Sequence, residues 1–145
     1  PHLVDDGIWE RRFEQIRTYE KYLFENGYII MKFFLHISQK EQKERLMERI
    51  DDESKNWKFN HTDVKEREHW AEYRRCYQEA IAATSTSYAP WYVIPADKKW
   101  YMRALVSDIL VSRLEALNLN YPVLSPDQLS ELREAGELLN NEDKK

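Results

Sequence analysis

Arg45, Arg49 and Lys58 in the stretch Ser38 to Phe59 are the residues of this chain best placed to do chemistry. Arg45 and Arg49 are four apart, so on a helix they project from one face. Lys58 follows an acidic bend, Asp51-Asp52-Glu53. Two guanidiniums and an ammonium on a solvated segment could clamp a polyanion, because arginine offers planar, paired donors that fit phosphate oxygens. The same spacing, with Glu41 before Arg45 and Glu44 before Glu48, also fits an ordinary charged helix face, and spacing alone favours that plainer reading. Lys98 and Lys99 pose the same choice. They follow Asp97 where a helix should begin, which suits an anion, yet solvated surface lysines explain them as well.

The elements that must hold these residues can be read from periodicity and caps. Trp9, Phe13, Ile16, Tyr19 and Leu23 predict an amphipathic helix from about Asp6 to Phe24, with Asp5 and Asp6 favourable at its start and Asn26-Gly27 ending it. Tyr28 to Ile37 is a nearly continuous apolar run, which predicts a strand buried on both faces, as in a parallel sheet. Lys32 and His36 interrupt it, His36 as a satisfied residue at the strand's exposed end. Ser38 and Glu41 form a capping-box pattern, so the strand should give way to a helix there. Asn60 is a candidate N-cap, with Asp63 at the third helical position. Val64, Trp70, Tyr73, Tyr77, Ile81 and Thr84 then fall on one stripe of a long helix, a spacing that more often marks core than a cofactor site. Trp91 to Ile94 is a second strand candidate. Asp97 should cap a broadly apolar helix reaching about Leu117 and packing on the sheet. A last helix should run from Ser125-Pro126-Asp127 through Leu138, leaving a frayed NNEDKK tail.

The sequence has 145 residues, enough for one domain with a real core. It is 42% hydrophobic and 13% aromatic, which argues for a folded protein. A net charge of −4 speaks against general nucleic-acid binding but leaves room for a local phosphate site. Between Ser38 and Arg75, ten Lys or Arg balance ten Asp or Glu, as a solvated lid would require. The single Cys76 makes no internal disulfide and fits a reducing compartment, hence a cytoplasmic expectation. Neither a G-x-x-x-x-G-K-[ST] phosphate loop nor a G-x-S-x-G serine motif occurs, and the four histidines do not pair at metal-ligand spacing. A strand, a long helical excursion, a strand and a helix follow α/β logic. Two strands that each read as buried on both faces imply a sheet whose other strands lie elsewhere.

Three segments carry a family likeness: FFLHISQKEQKERLMERIDD, NWKFNHTDVKEREHWAEYRRCYQEAI and TSTSYAPWYVIPADKKWYMR. Together they resemble the C-terminal half of the polyphosphate kinase 2 family, over about Ile8 to Leu139. The resemblance implies an α/β fold, part of a thymidylate-kinase-like P-loop kinase with α/β/α layers, here a helix-dominated piece with two short strands and a lid over about residues 38–75. It implies phosphate transfer between inorganic polyphosphate and nucleoside mono- or diphosphates with Mg2+, whose ligands would lie mainly in the N-terminal Walker A and B half, absent from residues 1–145. It implies catalytic roles for Arg49 first and Arg45 second, and substrate contacts for Lys58, Asp63, Arg67, Asp97, Lys99 and Arg103. No metal ligand is assigned to this segment. Asp63 could equally serve only as a cap, and Trp91 and Trp100 are read as packing residues. The expected partners are the N-terminal half and a homo-oligomer, with no membrane and no nucleic acid. The alternative expectation is a non-catalytic helical module that binds polyphosphate or a protein.

Overall fold

The computed structural model describes residues 7–142, so the expectations for Asp5, Asp6 and the last three residues of the tail lie outside the described residues. The order is α1 (Ile8–Glu25), β1 (Lys32–His36), α2 (Gln39–Asp51), α3 (His61–Glu66), α4 (Trp70–Thr84), β2 (Trp91–Pro95), α5 (Lys99–Glu115) and α6 (Pro126–Glu142). Short 3-10 turns at Glu53–Lys58 and Arg67–His69 join α2 to α3 and α3 to α4. The chain forms two compact units, Pro1–Asp108 and Ile109–Lys145. The fold is the helix-dominated α/β arrangement expected, and β1 and β2 pair in parallel with Lys32 opposite Trp91 and His36 opposite Pro95.

α1 ends as its sequence dictates. Gly27 takes φ +83°, the Gly27 N–H donates to the Phe24 carbonyl at 3.0 Å, and the Tyr28 N–H donates to the Leu23 carbonyl at 3.1 Å. That pair of bonds is a Schellman ending, and only glycine adopts the left-handed backbone without strain. One turn earlier, Glu20 receives the Lys32 ammonium on both carboxylate oxygens at 2.7 Å. Lys32 also donates to the Thr84 carbonyl at 2.7 Å and lies 5.2 Å over the Trp91 ring. The polar interruption in the strand therefore clasps α1, β1, α4 and β2 at one point.

The helical excursion differs from the sequence reading. The long helix expected from Asn60 to Thr84 is broken at Arg67–His69. Asn60 does cap α3, its side chain accepting from the Thr62 N–H at 3.0 Å. At the break, Arg67 donates to the Gln39 carbonyl at 3.2 Å and to Gln42 Oε1 at 2.5 Å, and the Tyr73 hydroxyl donates to Glu66 at 2.6 Å. These side-chain ties to α2 and across the turn replace a straight helical ladder.

Buried apolar residues are few among those described: Leu46, Ala89, Ile94 and Ala96. Within this chain the strands are not buried on both faces. Leu35 is 47% and Val93 54% exposed, so neither strand is closed over along its whole length. The aromatic stripe of α4 is likewise not closed core. Tyr77 packs on Phe34 at 4.9 Å between ring centres, but Trp70, Tyr73, Tyr77 and Ile81 line an open groove of about 530 Å³ against Phe34 and Val93. α5 begins at Lys99 and has no fully buried residue, with Met102, Leu105 and Val106 partly buried. α6 continues to Glu142, past Leu138. Its start carries a complete capping box, Gln128 N–H to Ser125 Oγ at 3.2 Å and Ser125 N–H to Gln128 Oε1 at 2.9 Å.

Candidate functional site

Parallel strands end together, and helices that follow them begin at that same edge, where open α/β sheets bind ligands. β1 ends at His36 and β2 at Pro95, and α2 and α5 start just beyond. A cavity of about 280 Å³ lies there, lined by His36, Ser38, Asp97, Lys98 and Tyr101 among others. Ser38 caps α2, its hydroxyl accepting from the Glu41 N–H at 3.1 Å. The reciprocal half of the expected capping box is made differently. Asp97 Oδ1 accepts from the Ser38 N–H at 2.7 Å, while the Glu41 carboxylate accepts from Arg45 Nε at 2.8 Å. Asp97 thus joins the two strand ends instead of capping α5, whose first residue is Lys99. The Ser38 N–H holds the Asp97 carboxyl below its ordinary value, helped by the nearby Arg45 and His36 charges.

The two arginines have different settings. Arg45 is half-buried and donates through Nη2 to the Ala96 carbonyl at 2.7 Å, so its guanidinium fastens α2 to the residue after β2. Arg49, one turn on, is 38% exposed and faces the Asp63 carboxylate at 3.8 Å, too long for a hydrogen bond. Its planar donors are open to solvent on the same helix face. The end of α2 is fixed by neighbours the sequence reading passed over. Asn56 Nδ2 donates to the Arg49 and Ile50 carbonyls at 2.8 Å, and Lys55 pairs with Glu48 at 2.7 Å and Asp52 at 2.8 Å. The Lys55 hydrogen bond, then those from Ser54, pull the Asp52 carboxyl down to about 2. Glu48 is lowered first by Lys55 and then by the charge of Lys99, so the start of α5 makes itself felt on α2.

Of the remaining expected site residues, Lys58 is exposed, its ammonium 5.0 Å over the Trp57 ring. Asp63 meets Arg49 as stated. Arg67 spends its guanidinium on Gln39 and Gln42 at the helix break. Lys99 and Arg103 are exposed and four apart on α5, so they share a face. Trp91 packs as expected, its ring N–H donating to Thr84 Oγ1 at 2.9 Å, whereas Trp100 is 71% exposed. The Glu20–Lys32 clasp went unread. Its signal was Glu20 sitting on the apolar stripe of Phe13, Ile16 and Leu23, paired with a lysine inside an apolar run.

Among the described residues no three His, Cys, Asp or Glu side chains converge as metal ligands. Magnesium favours oxygen ligands from one or two carboxylates together with substrate phosphates. At the strand ends and in the lid, Glu41, Glu48, Asp52, Asp63 and Asp97 are each met by an Arg, Lys or backbone donor, so these five do not fit a Mg2+ site. No described helix is long and apolar enough to cross a membrane.

The family model described as polyphosphate kinase 2 matches residues 2–122. An uncharacterized protein in the chlN 3′ region of Leptolyngbya boryana is 50% identical over 94% of this chain and all of that protein. The AMP/ADP-polyphosphate phosphotransferase of Meiothermus ruber is 49% identical over 90% of this chain and 48% of its own length. A crystal structure of polyphosphate kinase 2 from Arthrobacter aurescens superposes with a TM-score of 0.83 at 42% identity, covering 92% of this chain and 47% of that one. The chain therefore spans about half the length of these last two proteins.

Proposed function

Because the chain belongs to the polyphosphate kinase 2 family, we propose that it forms the C-terminal part of one phosphotransferase domain acting between inorganic polyphosphate and nucleoside mono- or diphosphates. In this reading the whole of residues 1–145 is that part, with the lid at about 38–75, and a Walker A and B half completes it. Arg49 carries the argument. Its guanidinium makes only a 3.8 Å contact with Asp63, while Arg45 beside it is fastened to the fold. Phosphoryl transfer needs positioning and charge stabilisation around the migrating group, and one arginine at that position contributes about a thousandfold in rate, roughly 4 kcal/mol. Arg49 takes the catalytic role; Arg45 holds α2 at the strand ends and lends its charge second. Lys58, Lys99 and Arg103 are exposed cations that would bind the polyphosphate or nucleotide phosphates. Asp63 keeps Arg49 near the lid helix, Arg67 sets the lid's angle, and Asp97 shapes the strand-end cavity. Mg2+ would supply charge neutralisation on the phosphates and would be held mainly by the completing half. Exposed Trp100 and Leu114 on α5 support self-association, and the lone cysteine supports a cytoplasmic setting.

The test is phosphotransfer with AMP, ADP, polyphosphate and Mg2+, by this chain alone and by this chain mixed with the part of the Meiothermus ruber enzyme it does not match. Nucleotide formed by the mixture and not by the chain alone supports the proposal. A second reading, a binding module without catalysis, rests on exposed lid cations in a sequence with no phosphate loop. Salt-sensitive polyphosphate binding by the chain alone, with no turnover in the mixture, would favour it.

A further inference from the structure

Sharp kinks in helices usually have a proline, a glycine or an inserted group at the bend, and residues 61–84 contain neither proline nor glycine. The backbone nevertheless leaves helical geometry at His69, where φ is −91° and ψ is 19°. A helix has ψ of about −42°. Glu66, Arg67 and Trp70 on either side keep right-handed helical angles, so one residue carries the bend. Residues 61–84 are otherwise rich in good helix formers, and local preference alone would run α3 straight into α4. What holds the bend therefore comes from another part of the chain.

α2 supplies it. Arg67 Nη1 donates to Gln42 Oε1 at 2.5 Å and to the Gln39 carbonyl at 3.2 Å. Gln42 and Arg49 lie two turns apart on one face of α2, and Asp63 and Arg67 lie one turn apart on one face of α3. Two rungs thus join these helices, Gln42 to Arg67 and Asp63 to Arg49. They are unequal. The first is a short, partly buried, charge-assisted hydrogen bond, whereas the second is a 3.8 Å ion pair screened by solvent. The short rung can hold the long one in place, and the reverse cannot happen. The Tyr73 bond to Glu66 and the His69 contact with Glu72 at 3.2 Å brace the bend locally, and neither reaches α2.

We infer that Gln42 is a positioning residue: by accepting from Arg67 it keeps α3 folded back on α2, holds the bend at His69 and sets Asp63 opposite the Arg49 guanidinium. Its role in rate rests on Arg49 being the catalytic arginine, as proposed above. Without the Gln42 acceptor, residues 61–84 relax toward one continuous helix and Asp63 leaves Arg49. The Arg49 guanidinium then samples its rotamers freely. Geometry lost in this way lowers the rate more than it lowers binding, and a displacement of about 1 Å at a reacting group can cost about a hundredfold.

Two substitutions in the full chain test this. Gln42→Met keeps the side chain's length and removes the acceptor, whereas Gln42→Glu keeps an acceptor for Arg67. In the 13C,15N-labelled chain alone, Gln42→Met should move the His69 Cα resonance into the helical range, and Gln42→Glu should leave it in place. In the mixture with the unmatched part of the Meiothermus ruber enzyme, Gln42→Met should lower kcat about ten- to a hundredfold with KM changed less than about twofold. Gln42→Glu should recover most of that loss. Placed on Arg49→Ala, Gln42→Met should cost no further rate, because both act through one guanidinium. An unmoved His69 resonance, equal losses for Met and Glu, or an additive loss on Arg49→Ala would each overturn the positioning role. Should Gln42→Met fail to fold by circular dichroism, Arg67→Met removes the same bond from its other end and is read identically. If neither variant folds, the bond is structural and the inference fails. An active mixture indifferent to Gln42→Met sinks this inference alone. An inactive unsubstituted mixture sinks the phosphotransfer reading and the effect on rate with it, and the His69 resonance still decides whether Gln42 holds the bend.

Discussion

Arg45 and Arg49 look alike in sequence, yet their surroundings require opposite responses to alanine. Arg45→Ala removes a charge-assisted bond to the Ala96 carbonyl, and Ala96 is only 2% exposed. A hydrogen bond to a charged group contributes about 1.5–3 kcal/mol, and the orphaned carbonyl has no easy route to water. The i,i+4 pair with Glu41 adds a few tenths more. A loss of about 2 kcal/mol follows, which at a urea slope of roughly 2 kcal/mol per molar lowers the midpoint by about 1 M. Arg49→Ala deletes only a 3.8 Å, solvent-screened contact with Asp63, so its midpoint should stay within about 0.3 M. In the mixture with the completing half, Arg49→Ala should cut turnover by about a thousandfold. Tryptophan fluorescence in a urea series and single-turnover assays give both numbers. An unchanged midpoint for Arg45→Ala, or a matching destabilisation by Arg49→Ala, would refute the division of labour.

Three further outcomes follow from the geometry. Glu20→Ala strands the Lys32 ammonium in a site 13% exposed and should cost about 3–5 kcal/mol, while Glu20→Leu with Lys32→Met should recover most of it in the same urea series. Asp97 has a folded pKa below its ordinary 3.8, so its link to Ser38 is fully present above that value and is lost as pH falls through the lowered one. The Ser38 amide resonance should show that inflection, and Asp97→Asn should remove it. Gly27→Ala meets nothing within 4 Å, so its cost, about 1 kcal/mol by thermal unfolding, is that of φ +83° alone.

Local rules made much of the fold legible. The left-handed stop at Gly27, the hydroxyl of Ser38 on Glu41 and the Asn60 cap each involve residues within a few positions, so side-chain type and spacing determine them. Partners far along the chain were not legible. Nothing near Ser38 reveals that its N–H goes to Asp97, nor does spacing show that Arg45 reaches Ala96 or that Arg67 grips Gln42 and breaks a helix at Arg67–His69. The strands looked buried on both faces because their residues suit that environment, whereas the described elements cover them only partly. The site divides the same way. Its cations were visible as a group, and only tertiary contacts distinguish the tethered Arg45 and Arg67 from the open Arg49, Lys58, Lys99 and Arg103.

The parallel pairing has a kinetic consequence. Ser38 and Asp97, which meet where the two strands end, are 59 residues apart. Helical turns form within microseconds, but a ladder joining such distant segments must first close the whole excursion between them. During synthesis at about 5–20 residues per second, β1 waits roughly 3–12 s before β2 has even been made. Throughout that interval the edge of β1 that will pair with β2 is bare, and Phe33, Phe34 and Leu35 form an apolar, uncharged run. A nascent chain with this topology is therefore most vulnerable to aggregation before its second strand emerges, a hazard set by the order of translation and not by the stability of the finished fold.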